Sequence, residues 1–114
     1  MILQKSDMNK NALKFIKSCM HQHKVFWTYH VNMRLKERLL SREQIMDSVD
    51  SFEIIEEYAL DKYLPSYLIY AKCGDEVLHI QIAIDKENDN IRIITSYIPF
   101  RDKWENDSKT RRPS

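Results

Sequence analysis

The spacing of apolar residues changes near Phe52, and this change constrains the fold more than any other feature of the sequence. Before Phe52, apolar residues recur at intervals of three and four, which is the period of a helix face. Beyond it they alternate with polar residues, as in a strand. The sequence therefore predicts an α+β fold, in which N-terminal helices pack on one face of a four- to five-stranded, mainly antiparallel sheet.

The first part of the chain predicts three helices and one short strand. Helix one is expected over Ser6 to His23 and helix two over His30 to Leu40. Between them, Val25 to Tyr29 is β-branched and aromatic, which favours a strand that pairs with a later one. Ser41 and Gln44 have the spacing of a capping box, so a third helix is expected to begin there.

The second part predicts an antiparallel meander, because hairpin-sized polar connections separate its strand-like runs. These runs are Phe52–Ala59, Leu64–Lys72, Glu76–Asp85 and Ile91–Ile98, with turn residues such as Asp61 between the first two. In the third run, the isoleucines and Leu78 share one face, which the helices should cover. The other face, with His79 and Gln81, is expected to be partly open.

Length and composition indicate one domain, since 114 residues with 43% apolar residues can fill one core. We divide it into an N-terminal helix at residues 1–24, a core at 25–100 and a polar turn and tail at 101–114. Trp104 is the expected anchor of that turn, because an indole is costly to leave in water. No run reaches the roughly 18 apolar residues of a membrane helix, and the start does not resemble a signal peptide. With only Cys19 and Cys73, the chain predicts a cytoplasmic protein with reduced thiols.

Charge is unevenly distributed although the net charge is only +1. Residues 1–40 hold eight Lys or Arg against two Asp or Glu, residues 41–90 hold four against twelve, and residues 91–114 hold six against three. If the fold brings the basic ends together, the resulting dipole would steer a polyanion such as RNA. The alternative is an ordinary mixed surface.

Two sets of residues could carry chemistry. His30, Arg34 and Arg38 are spaced to share a ridge of helix two, where arginines could hold a phosphate and His30 could act as a base. The alternative is a capping histidine beside a solvated basic face. The second set comprises His79, Gln81, Thr95 and Tyr97 on two neighbouring strands, and here the alternative is ordinary outer-face polarity.

A metal site is not expected. Cys19, His21 and His23 are close in sequence, but no second ligand pair with zinc spacing follows them. The sequence also lacks a glycine-rich phosphate loop, a serine nucleophile elbow and a paired-carboxylate motif.

Several segments resemble a bacterial family known only as a domain of unknown function. They are TYHVNMRLKER, IIEEYALDKYLPSYLIYAKCGDEVLHIQIAID, IRIITSYIPFRDKWE and the arginine pair ending at Arg112. The resemblance covers about residues 26–112 and leaves helix one outside. Members tend to be encoded beside MqsA-type zinc-finger antitoxins, which implies similarity to the MqsR and RelE class of messenger-cleaving toxins. Matching positions include His30, Arg34, Arg38, Tyr58, Asp61, Leu78, His79, Thr95, Tyr97, Pro99, Trp104 and Arg112.

The resemblance, taken with the candidate residues above, implies a metal-independent endoribonuclease of a toxin–antitoxin system. The expected catalytic residues are His30, His79 and Tyr97, and the expected RNA-binding residues are Arg34, Arg38, Thr95 and Arg112. RNA and an antitoxin protein are the expected partners, with no cofactor and no membrane. The alternative is a non-catalytic module of the same fold that binds RNA or protein.

Overall fold

The helix-then-sheet order predicted from the sequence is confirmed. A computed structural model describes residues 5–58 and 63–113. The elements are α1 (Lys5–His21), β1 (Val25–Trp27), α2 (Tyr29–Glu37), α3 (Arg42–Asp47), a 3-10 turn (Val49–Ser51), β2 (Glu53–Tyr58), β3 (Ser66–Cys73), β4 (Glu76–Asp85) and β5 (Asn90–Tyr97). The predicted strand end at Ala59, the turn at Asp61 and residues 1–4 lie outside the described residues. No described helix has both the length and the apolarity needed to cross a membrane.

The five strands form one mixed sheet in the order β1-β5-β4-β3-β2. Strands β2 to β5 are a consecutive antiparallel meander, as the polar connections predicted. The short strand β1 runs parallel to β5, with Val25 opposite Ile91 and Trp27 opposite Ile93. This pairing stops at Ile93, although β5 continues to Tyr97. The first strand therefore lies beside the last one.

The helices cover the apolar face of the sheet, and this prediction is also confirmed. Leu78 and its three alternating isoleucines on β4 join one buried cluster with residues of all three helices. The helical contribution consists of Ala12, Ile16, Cys19, Met20, Val31, Leu35 and Ile45. Burial of these side chains supplies the main driving force for packing the helices on the sheet.

Local hydrogen bonds set the ends of α2 and α3. The Thr28 hydroxyl accepts from the Val31 N–H at 3.1 Å, which starts α2 at Tyr29. The predicted extension of this helix to Leu40 is wrong, because Leu39 has a φ of 56° and cannot continue a right-handed helix. The capping box is confirmed: the Gln44 N–H donates to the Ser41 hydroxyl at 3.1 Å, and the Ser41 N–H donates to Oε1 of Gln44 at 2.8 Å.

The opposite face of the sheet is covered in part by residues 101–113, here called the C-terminal segment. The expectation of an open face is wrong at His79, whose exposed fraction is 0%. Trp104 is 3% exposed and packs edge-on against the His79 ring, with the ring centroids 4.4 Å apart. The predicted anchor is therefore confirmed. The segment folds back on itself through an isolated bridge between Trp104 and Arg111.

We predict that Trp104→Ala lowers the free energy of unfolding by about 3–5 kcal/mol, because it removes a large buried side chain. Phe100→Ala is the matched control, since Phe100 is 68% exposed and should change stability by no more than about 0.5 kcal/mol. Urea unfolding followed by circular dichroism measures both. Equal, small losses for the two variants would show that Trp104 does not anchor the segment.

Candidate functional site

A groove of about 740 Å³ lies where the end of β5 meets the C-terminal segment. We call it the β5 groove. Its lining consists of Arg38, Tyr97, Ile98, Phe100, Lys103, Trp104 and Arg111. Three of these seven residues are cations and none is acidic. Arg38 belongs to the basic start of the chain and Lys103 and Arg111 to its basic end, so the fold joins the two basic segments here.

Arg38 is fixed in the groove by the free edge of β5. It follows the last residue of α2, and its Nη1 atom donates to the Ser96 carbonyl at 2.7 Å and to the Thr95 hydroxyl at 3.2 Å. These bonds form beyond Ile93, where β1 no longer pairs with β5. The structure thus brings together three predicted residues, Arg38, Thr95 and Tyr97, with the guanidinium held in position.

Arg111 enters the groove through its ion pair with Glu56 on β2. Its Nε and Nη2 atoms lie 2.5 and 3.0 Å from the two carboxylate oxygens of Glu56. The Tyr58 hydroxyl donates to the same carboxylate, and the guanidinium lies over the Trp104 ring at 4.6 Å. The hydrogen bond with Arg111 is the main cause that lowers the pKa of Glu56. Because Glu56 offsets part of the Arg111 charge, Arg38 and Lys103 supply most of the net positive charge of the groove.

Tyr97 is half-buried beneath these cations. Burial is the main cause that raises the pKa of its phenol above the ordinary value of 10.0. The hydroxyl therefore stays protonated at neutral pH. In this state it can donate a hydrogen bond or a proton to a ligand in the groove.

His79 lies behind the groove and outside its lining. Its ring packs edge-on against Tyr97 and Trp104, with centroid distances of 5.4 and 4.4 Å. Its Nε2 atom is 2.6 Å from the Ser108 carbonyl oxygen, which can only accept, so Nε2 carries the proton. The Nδ1 atom is buried without a hydrogen-bond partner among the described residues. Burial lowers the pKa of the imidazole, so His79 is neutral at pH 7, and its predicted catalytic role would require the C-terminal segment to move.

His30 and Arg34 lie away from the β5 groove. His30 is exposed at the start of α2 and lines a different cavity of about 380 Å³, together with Arg92 and Tyr63. The Arg34 guanidinium pairs with Glu37 at 3.3 Å and lines neither cavity. The predicted ridge is thus divided, because Arg38 alone of its three members reaches the groove. The roles assigned to His30 and Arg34 stay predictions.

Arg112 closes the C-terminal segment and is not among the residues that line the groove. Its Nε atom donates to the carbonyls of Arg101 and Trp104 at 2.5 and 2.8 Å, and its Nη1 atom pairs with Glu105 at 3.3 Å. The sequence pattern predicted RNA binding for Arg112 but did not indicate its neighbour Arg111. Lys103 and Phe100 were not predicted either, although the basic excess of residues 91–114 was a signal for the two cations, Lys103 and Arg111.

The described residues show no cluster suited to a metal ion. No three His, Cys, Asp or Glu side chains among them lie close enough together to share one. Cys19 is buried in the core and Cys73 is half-buried, and both are free thiols. Burial is the main cause that raises the pKa of Cys19, which keeps this thiol protonated.

We predict that the contribution of Glu56 to stability depends on pH. Its pKa is lowered on folding, so the stabilisation is present above the ordinary pKa of 4.5 and is lost as the pH falls through the lowered value. Glu56→Gln should therefore be less stable than wild type at pH 7, and the difference should shrink in acid. Urea unfolding across this range measures it. Glu57→Gln is the control, because no described cation forms an ion pair with Glu57; a constant difference for Glu56→Gln would contradict the prediction.

We also predict that His79 is an Nε2–H tautomer that stays neutral below pH 6.5. Burial lowers its pKa from that ordinary value, so the unfolded chain binds a proton there before the folded chain does. Stability should consequently fall as the pH drops through this range, and less so in His79→Gln. Long-range ¹H–¹⁵N NMR reports the tautomer and the titration directly. A His79 ring that titrates at or above pH 6.5 would show that solvent reaches it.

Comparison with known proteins identifies a family for most of the described sheet and for α2. A family model described as Domain of unknown function (DUF4258) matches residues 27–98. The match includes Arg38, Thr95 and Tyr97 and leaves α1 and the C-terminal segment outside. The curated proteins and the solved structures contain no match to this chain. Because the family model covers more than half of the 114 residues, the chain belongs to the family named Domain of unknown function (DUF4258).

Proposed function

We propose that this protein binds RNA in the β5 groove and cleaves the RNA backbone there without a metal ion. The observation that carries the proposal is that Tyr97 shares one groove with Arg38, Lys103 and Arg111. A phosphodiester carries more negative charge in its phosphorane-like transition state than in the substrate. Fixed cations therefore stabilise the transition state more than they stabilise the substrate. Arginine suits this role because its planar guanidinium can contact two phosphate oxygens at once.

The proposed reaction uses the RNA's own 2′-hydroxyl as nucleophile. The 2′-oxygen attacks phosphorus while the bond to the 5′-oxygen breaks, which gives a 2′,3′-cyclic phosphate and a new 5′-hydroxyl. The 2′-hydroxyl proton passes to solvent, and Tyr97 donates a proton to the leaving 5′-oxygen. The Tyr97 phenol is protonated at neutral pH, so this proton is available to the leaving oxygen. Arg38 orients the phosphate, because its bonds to Thr95 and Ser96 fix the guanidinium before the substrate arrives.

The sequence resemblance to messenger-cleaving toxins supports the same proposal. In that setting the protein acts in the cytoplasm, and an antitoxin protein neutralises it by covering the β5 groove. The exposed Phe100 and the half-exposed Ile98 would give such a partner an apolar contact beside the cations. Its cationic lining would also favour an acidic segment of the partner.

A second candidate function is RNA binding without cleavage. It is favoured by the burial of His79 and by the composition of the groove, which has no histidine or carboxylate among its lining residues. A group of that kind would be the ordinary acceptor of the 2′-hydroxyl proton at neutral pH. Binding alone requires only the cations and the aromatic side chains.

We predict that the purified protein cleaves messenger RNA in the presence of EDTA. Arg38→Ala and Tyr97→Phe should each lower the rate by about 10²-fold or more, since each removes a group that stabilises the transition state. Arg34→Ala is the matched control, because it removes an arginine of α2 that lies outside the groove. Single-turnover cleavage of a labelled RNA measures the rates, and urea unfolding confirms that the variants fold.

The possible results separate the two candidates. Cleavage that depends on Arg38 and Tyr97 but not on Arg34 supports the proposed endoribonuclease. RNA that is bound through Arg38 and left intact supports the binding function. If wild type neither binds nor cleaves RNA, both are wrong, and cleavage lost in EDTA would contradict the metal-independent reaction.

A further inference from the structure

A third cavity, of about 450 Å³, adjoins the β5 groove. We call it the Asn106 cavity. Phe100 and Trp104 line both spaces, and the new one alone is also lined by Val77, Pro99, Arg101, Glu105, Asn106 and Ser108. Its walls thus combine aromatic rings with polar and charged groups of both signs, and Glu105 among them is paired with Arg112, whereas the charged residues of the neighbouring groove are all cations. The family match ends at residue 98, so this cavity owes nearly all of its lining to the part of the chain that follows.

Two of these side chains have features that suit a planar heterocycle. Phe100 is 68% exposed, so most of its ring surface is available for stacking. The Asn106 side chain is exposed and forms no hydrogen bond with another described residue, which leaves its amide donor and acceptor for a ligand. Single exposed apolar residues are common on protein surfaces, but Phe100 lines both the cationic β5 groove and the Asn106 cavity.

We propose that the Asn106 cavity holds one nucleobase of single-stranded RNA, next to the phosphate bound by Arg38 and Lys103. The base stacks on Phe100, and the Asn106 amide forms hydrogen bonds with its edge. This inference rests on the proposed function, because it takes RNA as the ligand of the β5 groove. A nucleotide joins its phosphate to its base through one sugar, so a phosphate in the groove brings a base to the adjoining cavity.

A nucleobase site of this kind also indicates a substrate class. A base in a duplex is stacked and paired, and the A-form major groove is too narrow for a side chain to reach its edge. A base in a single strand can turn outward and stack on an aromatic ring. The cavity therefore selects single-stranded regions, and Asn106 makes binding depend on the identity of one base.

The test compares oligonucleotides that share the same phosphates and differ in their bases. We would use 2′-fluoro RNA strands of about 12 nucleotides, which lie within the site sizes of single-strand binders and lack the 2′-hydroxyl nucleophile. Strands of A, C, G or U are compared with an abasic strand of equal length by fluorescence anisotropy. Wild type should bind at least one base-containing strand about fivefold or more tightly than the abasic strand, as expected for one stacked base.

Two variants identify the residues responsible. Phe100→Leu should remove most of the preference for base-containing strands over the abasic strand. Phe26→Leu is the matched control, since Phe26 is 58% exposed on β1 and lines a different cavity. Asn106→Ala should reduce the differences among A, C, G and U. Circular dichroism and urea unfolding confirm that each variant keeps its fold.

Each result supports or overturns the inference. Loss of base preference in Phe100→Leu but not in Phe26→Leu supports it. Equal binding of base-containing and abasic strands by wild type, or an unchanged base preference in Phe100→Leu, overturns the nucleobase site while RNA binding in the groove stands. If wild type binds none of the strands, the nucleobase site and the proposed function are both wrong.

Discussion

The ion pair between Glu56 and Arg111 is the interaction on which the candidate site depends. It joins the edge strand β2 to the far end of the chain, across 55 residues of sequence. Exposed ion pairs generally contribute little to stability, but the geometry here is bidentate and the Glu56 side chain is only 20% exposed. Lys109 forms a second connection between the C-terminal segment and the sheet. Its ammonium lies 2.7 Å from the Glu53 carboxylate and over the Tyr70 ring. Together these contacts hold the C-terminal segment on the sheet.

Holding that segment has two effects on the chemistry of the site. It supplies Lys103, Trp104 and Arg111 to the groove, so three of the seven lining residues are in place only when the segment is folded back on the sheet. It also buries His79, which is kept neutral and bonded to the Ser108 carbonyl. The same contacts therefore build a cationic surface and remove the nearest histidine from solvent. Charge stabilisation, with Tyr97 as proton donor, is the chemistry that we propose for this arrangement.

The sequence predicted the features that depend on neighbouring residues. The alternation of apolar and polar residues along β4 correctly predicted which face of that strand is buried. The spacing of Ser41 and Gln44 predicted the start of a helix, which two mutual hydrogen bonds between these residues confirm. The end of α2 was missed, because no local signal marks Leu39 for a left-handed conformation. Contacts between distant residues were also missed. The C-terminal segment has no hydrophobic period, so its position over His79 could not be predicted from spacing.

The site was predicted in part for the same reason. The charge excess near the chain end indicated a basic surface, but it could not distinguish Arg111 from Arg112, which differ by one position. Arg111 faces Glu56 and the groove, whereas Arg112 binds backbone carbonyls within its own segment. The spacing of His30, Arg34 and Arg38 would place all three on one ridge of a straight helix. Only its last member, Arg38, reaches the groove, because it lies where the helix ends beside β5.

The hydrogen bond from Arg38 to Ser96 also covers part of an exposed strand edge. Strand β5 extends past β1, and an unpaired strand edge is a template for pairing with a second molecule. The Arg38 guanidinium donates a hydrogen bond to the Ser96 carbonyl. A charged side chain therefore lies where the backbone N–H of a strand from a second molecule would otherwise donate. A guanidinium has several N–H donors and can hold this carbonyl and a phosphate together. The same arginine therefore covers part of the free edge of β5 and is the residue that we propose to hold the phosphate, so a substitution at position 38 would uncover that edge as well as remove a cation from the groove.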